Sequence, residues 1–296
     1  MRVHRVLSVL GYIGVAVLAW FVLTTLWLWH NQERVVFQPP AVVAPDPSAA
    51  GRRVEIRTAD GDSTFGFLVQ ANGGGTQTVV IAFHGNADLA VWLVPWAQEL
   101  SRRAGVAVLV PEYRGYGGLP GTPTYKGAAA DALGALEYAR TLKSSRVVLY
   151  GHSLGTAIAV ELARAMGHTP PSALVLQSPF TSARDMASRM LVPVVPWVWA
   201  RITRFHYDTR ASVHELDVPV WVAHGRMDLT IPTRMGRDVF DNARRKGELL
   251  LVSGAGHNDV PEVGGEAYWR WLTTAVNDSS SASVRELEQQ GRGRLP

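Results

Sequence analysis

The chain has 296 residues, of which 47% are hydrophobic and 18% charged. That is enough for one large domain with a sizeable core, and too few for two such domains plus a membrane anchor. It has no cysteine, which excludes a disulfide framework, a thiol nucleophile and any Cys-ligated metal. Lys and Arg total 29 against 25 Asp and Glu, a net charge of +4. They are scattered without a basic block, so no nucleic-acid partner is implied.

Residues 6–29 carry no formal charge. About 20 apolar residues span a bilayer core, so this stretch predicts one transmembrane helix. Tyr12, Trp20, Trp27 and Trp29 supply interfacial anchors, chiefly the last two. The run is longer than the core of a signal peptide, and the sequence that ends it, WLWHNQER, makes a poor cleavage site. A retained signal anchor is therefore expected. Arg2 and Arg5 precede the span and Arg34 follows it, which places the large domain on the extracytoplasmic side by the positive-inside rule.

Residues 30–52, rich in Pro and Ala, read as a linker. RRVEIRT and TFGFLVQ are short strands joined by ADGD, a hairpin signal. From residue 78 onwards apolar strands alternate with helices. The strands are TVVIAFH, VAVLVPE, RVVLYG, ALVLQSP, PVWVAHG and ELLLVSG. The helices cover VWLVPWAQELSRRA, KGAAADALGALEYARTL and residues 154–166, 233–246 and 260–276. Uniformly apolar strands alternating with helices predict an α/β fold, a mainly parallel sheet covered on both faces, with an antiparallel edge from the opening hairpin. The pattern breaks at residues 179–215. Met186, Met190, Leu191, Val194, Val195, Trp197, Val198 and Trp199 stand there among Arg184, Arg189, Arg201 and Arg204, and predict a short apolar cap suited to an acyl chain or a lipid headgroup. The domain itself is read as residues 53–277, and residues 278–296 as a polar, disordered tail.

The chemistry concentrates around Ser153. Gly151-His152-Ser153-Leu154-Gly155 is a G-x-S-x-G placed between a strand and a helix, where glycines allow a strained turn that lifts the serine above the sheet edge. A serine hydroxyl needs a base to become a nucleophile. Of nine histidines, His257 follows a strand and a small-residue loop C-terminal to the serine. His84 reads as structural, and the His152 side chain is expected to point elsewhere. Asp228, just beyond the strand PVWVAHG, is the acid that would orient His257. Asp259 reads as a cap for the last helix. Two backbone N–H groups should form an oxyanion hole: that of Leu154, next to the serine, and that of Asn86, after the tight bend at His84-Gly85. This chemistry requires no cofactor and no metal.

FHGNA, PEYRGYGG, GHSLG, QSPFTS, HGRMD and GAGHND occur in that order. Together they resemble the α/β-hydrolase superfamily, in the ABHD13, ABHD17 and Bem46-like branch. The resemblance covers roughly residues 79–259. It implies the α/β-hydrolase fold and serine hydrolase chemistry on acyl esters, thioesters or amides, with Ser153, Asp228 and His257 as the triad. It also implies that residues 113–117 line the site, with Arg114 as a structural brace. The depalmitoylating members of that branch carry an N-terminal cysteine cluster, and this chain has none. The expected partners are a small-molecule or lipid acyl substrate and a membrane. A binding or scaffold protein on an inactive hydrolase fold, a serine peptidase, and acyl transfer to an acceptor other than water are the alternative readings.

Overall fold

A computed structural model describes residues 2–42, 51–70, 77–190, 199, 201–277 and 283–287. The chain begins with α1 (Arg2–Val36), whose segment Leu7–Val36 is long and apolar enough to cross a membrane. The helix does not stop at the end of the predicted span. It runs on through residues 30–36, which hold no Pro or Gly, and ends just ahead of Pro39, because proline disfavours helical backbone in the residue before it. The first part of the expected linker is therefore helical, and residues 43–50 lie outside the described residues.

Next come β1 (Arg52–Arg57), β2 (Ser63–Val69), β3 (Thr78–Phe83), α2 (Ala90–Ala104), β4 (Ala107–Pro111), α3 (Tyr125–Thr141), β5 (Arg146–His152), α4 (Leu154–Ala165) and β6 (Ala173–Gln177). After them lie α5 (Ala183–Met190), α6 (Thr209–Glu215), β7 (Pro219–Gly225), α7 (Thr233–Asn242), β8 (Arg245–Val252), α8 (Val260–Asn277) and β9 (Ser283–Leu287). The strands form one sheet in the order β1-β2-β4-β3-β5-β6-β7-β8-β9. β1, β2 and β4 pair antiparallel, and every pairing from β4 to β9 is parallel. β3, β4, β6 and β7 are buried at every residue. That burial is why they read as continuous apolar runs. α2 packs with α8 on the sheet, while α3, α4, α6 and α7 form a second helical layer.

Two boundaries differ from the sequence reading. The helix expected over residues 233–246 ends at Asn242, and β8 already starts at Arg245, because Arg245 and Lys246 pair with Pro219 and Val220 of β7. Inside the stretch read as a disordered tail, β9 runs parallel to β8. Of the expected cap, α5, α6 and a bridge between Ser182 and Asp208 are described. Residues 191–198 and 200 lie outside the described residues.

Arg114, following β4, ties three parts of the fold together. Its guanidinium donates to Asp131 of α3 at 2.7 and 3.0 Å, and to Asp60 in the hairpin turn at 2.7 and 3.0 Å. Asp131 is 1% exposed, so removing the cation would leave a buried carboxylate without its partner. We expect Arg114→Met to destabilise the full chain in detergent by about 3 kcal/mol, and Arg114→Met with Asp131→Leu to recover most of that loss. Urea unfolding followed by tryptophan fluorescence measures both. An unchanged midpoint in the single variant would contradict the brace.

Candidate active site

β5 ends at His152 and α4 begins at Leu154. Ser153 sits between them with φ 53° and ψ −116°, a region that non-glycine residues rarely enter. Glycines make the turn possible. A Cβ on Gly151 would collide with the backbone of Gly155 and Thr156, and one on Gly155 with the carbonyls of Phe83 and His84. The Ser153 N–H donates to Gln177 O across the sheet at 3.0 Å.

The loop after β8 brings His257 to this serine, with His257 Nε2 2.9 Å from Ser153 Oγ. On the other side of the ring, Nδ1 lies 2.7 Å from Asp228 Oδ2 in the loop after β7. The three residues read from the sequence thus form one continuous hydrogen-bonded chain. Asp228 Oδ1 accepts the N–H groups of Thr230 at 2.9 Å and Ile231 at 2.8 Å. Burial alone would raise the Asp228 pKa, but hydrogen bonds from His224 and His257, the His257 charge and the Ile231 N–H hold it well below the usual carboxylate range. Asp228 therefore stays ionised and fixes the tautomer of His257, which carries its proton on Nδ1 and leaves Nε2 free to accept one from Ser153.

Three further groups hold this chain in place, and the sequence reading did not single them out. His224, fully buried, places Nε2 2.8 Å from Ile231 O and 3.2 Å from Asp228 Oδ2. The Ser178 hydroxyl donates to His257 O at 3.3 Å. His152 does not point away from the site as expected. Its Nε2 donates to the same carbonyl at 3.3 Å, and its ring lies 5.2 Å from that of His257. Burial, aided by the neighbouring His257 charge, lowers the His152 pKa to about 4, so the ring is neutral at neutral pH. Asp259 stands just before α8, where its backbone O accepts the Val263 N–H at 2.9 Å, and its side chain has a second role. Its carboxylate accepts Gly256 N–H at 2.6 Å and so braces the loop that carries His257.

The loop after β3 closes the other side. A Cβ on Gly85 would stand 3.5 Å from Ser153 Cβ, so the loop passes directly beside the serine. Among the described residues, neither the Asn86 nor the Leu154 N–H donates to a protein acceptor. Leu154 is the first residue of α4, where backbone donors have no intrahelical partner. Beneath the loop, His84 Nδ1 lies 2.9 Å from Gly85 O and Nε2 2.8 Å from Glu112 Oε1. Burial acts against protonation, but the Glu112 carboxylate more than offsets it, and the His84 pKa is raised. Nδ1 faces a carbonyl and Nε2 a carboxylate, so both ring nitrogens of His84 are engaged beneath the loop, a structural role. Glu112 also accepts the N–H groups of Tyr113 and of Ala90 at 3.1 Å. Tyr113 OH donates to His84 O at 3.0 Å, and Tyr116 OH to Asn86 Oδ1 at 2.7 Å. Residues 113–117 thus support the loop from below. No cluster of metal-ligating side chains occurs among the described residues.

Comparison with known proteins fits this arrangement. The Alpha/beta hydrolase family matches residues 79–291. Rv2307c, an uncharacterised protein of Mycobacterium tuberculosis, is 34% identical over 265 residues, covering 85% of this chain and 91% of that protein. Bem46 of Schizosaccharomyces pombe is 29% identical over 243 residues, covering 77% of this chain and 80% of its own. The lysophosphatidylserine lipase ABHD12 of Danio rerio is 30% identical over 191 residues, which take in 58% of this chain and 48% of that protein. Among solved structures, the Pyrococcus furiosus esterase Pf2001 matches with a TM-score of 0.64 at 19% identity, over 80% of this chain and 97% of its own, a likeness of fold.

His152 gives the site a pH signature. Its pKa falls from 6.5 to about 4 in the folded chain, so between those values the unfolded chain binds more protons and stability falls as pH falls. Full expression of the shift amounts to about 3 kcal/mol below pH 4. We expect the wild type to lose stability more steeply than His152→Asn between pH 6.5 and 4, measured by urea unfolding at each pH. Parallel curves would contradict the neutral buried ring.

Proposed function

The chain belongs to the alpha/beta hydrolase family, and on that premise we propose that it is a membrane-anchored serine hydrolase that cleaves acyl ester or thioester bonds, lipid-like substrates included. The observation that carries this reading is the unbroken hydrogen-bonded chain from Ser153 Oγ through His257 to Asp228, at 2.9 and 2.7 Å. Ser153 Oγ attacks the acyl carbonyl while His257 Nε2 takes its proton, and Asp228 stabilises the resulting imidazolium. The oxyanion accepts the N–H groups of Asn86, in the loop after β3, and of Leu154, at the start of α4, where the helix dipole favours negative charge. As the tetrahedral intermediate collapses, His257 returns the proton to the departing alcohol or thiol, leaving an acyl-Ser153 ester. Water, deprotonated by His257, then repeats the sequence and frees the acid.

A lipid-like substrate is supported by exposed side chains along the sheet edge that carries the serine. Trp92, Met227, Leu229 and Val263 are exposed large apolar side chains, Leu229 to 90%. Each stands on a loop or helix start that follows the carboxyl end of a strand, the edge of the sheet that carries Ser153. Isolated exposed apolar residues are ordinary, but several along one edge suit contact with an amphiphile or a bilayer surface. α1 would hold that edge at the membrane, with the domain on the extracytoplasmic side as the flanking arginines predict. The lysophosphatidylserine lipase among the relatives is in keeping with an acyl lipid substrate.

The test is covalent capture of the serine. The full chain in detergent should react with a fluorophosphonate probe, and Ser153→Ala and His257→Ala should not. Asp228→Asn should lower kcat on a chromogenic ester by about 10³–10⁴. A folded wild type that takes no label and hydrolyses no ester would overturn this reading in favour of a binding or scaffold protein.

A further inference from the structure

The structure assigns to the carboxyl end of α1 a positioning role at the oxyanion loop. This inference rests on the serine hydrolase reading above and goes beyond a role for α1 as a tether. The described part of α1 is exposed over most of its length, but Leu28 and Gln32, and Phe37 just beyond its end, are buried. Gln32 Oε1 accepts the Arg204 N–H at 2.6 Å, and the Arg204 guanidinium donates to Trp29 O at 2.9 Å while lying 4.8 Å from the centre of the Trp29 ring. Arg204 also meets Glu33 at 3.3 Å, and Phe37 packs on Phe205 with ring centres 5.7 Å apart. These contacts seat the helix end on the segment after β6, outside the sheet.

The seated end then clamps Asn86. Asn86 Nδ2 donates to Val36 O at 2.7 Å, and Gln38 N–H donates to Asn86 Oδ1 at 2.9 Å. Tyr116 OH donates to the same oxygen at 2.7 Å. The amide oxygen thus faces two donors and the amide nitrogen a carbonyl, so the side chain has one allowed orientation. Asn86 is the residue whose backbone N–H is proposed to receive the oxyanion. The next residue, Ala87, has φ 51°, a strained conformation that persists only where its surroundings hold it. Two backbone groups of the anchor end therefore help to set the peptide plane that catalysis depends on. Releasing them would let the strained loop relax and move its N–H away from the developing charge. Such a donor acts through its fixed position and loses its effect when it drifts.

Gln38→Pro separates this role from general packing: it removes the N–H donor, while the Gln38 Nε2 bond to Val35 O at 3.3 Å is lost in Gln38→Ala as well. Position 38 already precedes Pro39 and is confined to extended backbone, which proline tolerates. Gln38→Ala keeps the N–H and is the control, while Arg204→Ala unseats the helix end without touching Asn86. Each full-length variant in detergent is assayed for kcat and KM on a short soluble ester, with active sites counted by fluorophosphonate titration. Affinity for an alkyl boronic acid, which forms a tetrahedral anion on the serine, and the melting temperature complete the set. We expect kcat per active site to fall about tenfold or more in Gln38→Pro and Arg204→Ala, part of the 10²–10³ effect of losing an oxyanion donor. Boronate affinity should fall by the same factor, KM should stay within about twofold, and Gln38→Ala should match the wild type. Unchanged kcat and boronate affinity in both variants would overturn the positioning role, as would a lowered melting temperature with full activity per counted site. A wild type that neither labels nor turns over would instead sink the serine hydrolase reading on which this inference rests.

Discussion

A serine held at φ 53° and ψ −116° is the constraint on which the rest of the molecule turns. Such backbone strain costs on the order of 1–3 kcal/mol and survives only when its surroundings over-determine it. Here they do so by close packing. Gly151 touches the first turn of α4, and Gly155 touches the carboxyl end of β3. The parallel pairing of β3 with β5 puts Phe83 beside Gly151, so the loop that leaves β3 must pass next to the serine. One strained turn thus determines where the helix dipole, the neighbouring loop and the Ser153 hydroxyl stand relative to one another.

Around that turn, environment gives four histidines different roles. His84 gains a buried carboxylate partner, which raises its pKa and ties the loop after β3 to Glu112, next to β4. His152 is buried beside another histidine and stays neutral, free to donate one hydrogen bond to the His257 carbonyl. His224 fixes the position of the Asp228 carboxylate from within the core. His257, the fourth, is partly exposed, lies between Asp228 and Ser153, and is held through its backbone by Ser178 and His152. The three supporting rings are buried, while the ring that faces the serine is partly exposed.

The alternation of apolar strands and helices made the sheet legible, because strands buried on both faces leave a continuous apolar signature. G-x-S-x-G could be read as a strained turn because its glycines act locally. Placing Asp228 and His257 after successive strands needed only chain order. What could not be read depends on contacts between distant segments. Gln32 and Arg204 are 172 positions apart in sequence, and nothing in WLWHNQER announces a helix that continues into the domain. The start of β8 at Arg245 is set by pairing with β7, which overrides local helix propensity. Glu112 and His224 look like ordinary polar residues at strand ends until the fold surrounds them. The His152 ring faces the site because the loops after β3 and β8 bring Gly85 and the His257 carbonyl against it.

The central claim is that Ser153 forms a covalent acyl-enzyme. The most direct measurement uses a p-nitrophenyl carbamate, whose carbamoyl-enzyme hydrolyses slowly enough to be isolated. The full chain is mixed with it, nitrophenolate release is followed, and the protein is digested for mass spectrometry. The account predicts one equivalent of nitrophenolate per chain and a carbamoyl group on Ser153, with loss of ester hydrolysis in proportion. Ester hydrolysis that persists after the reagent is consumed, or a carbamoyl group on any other residue, would contradict it.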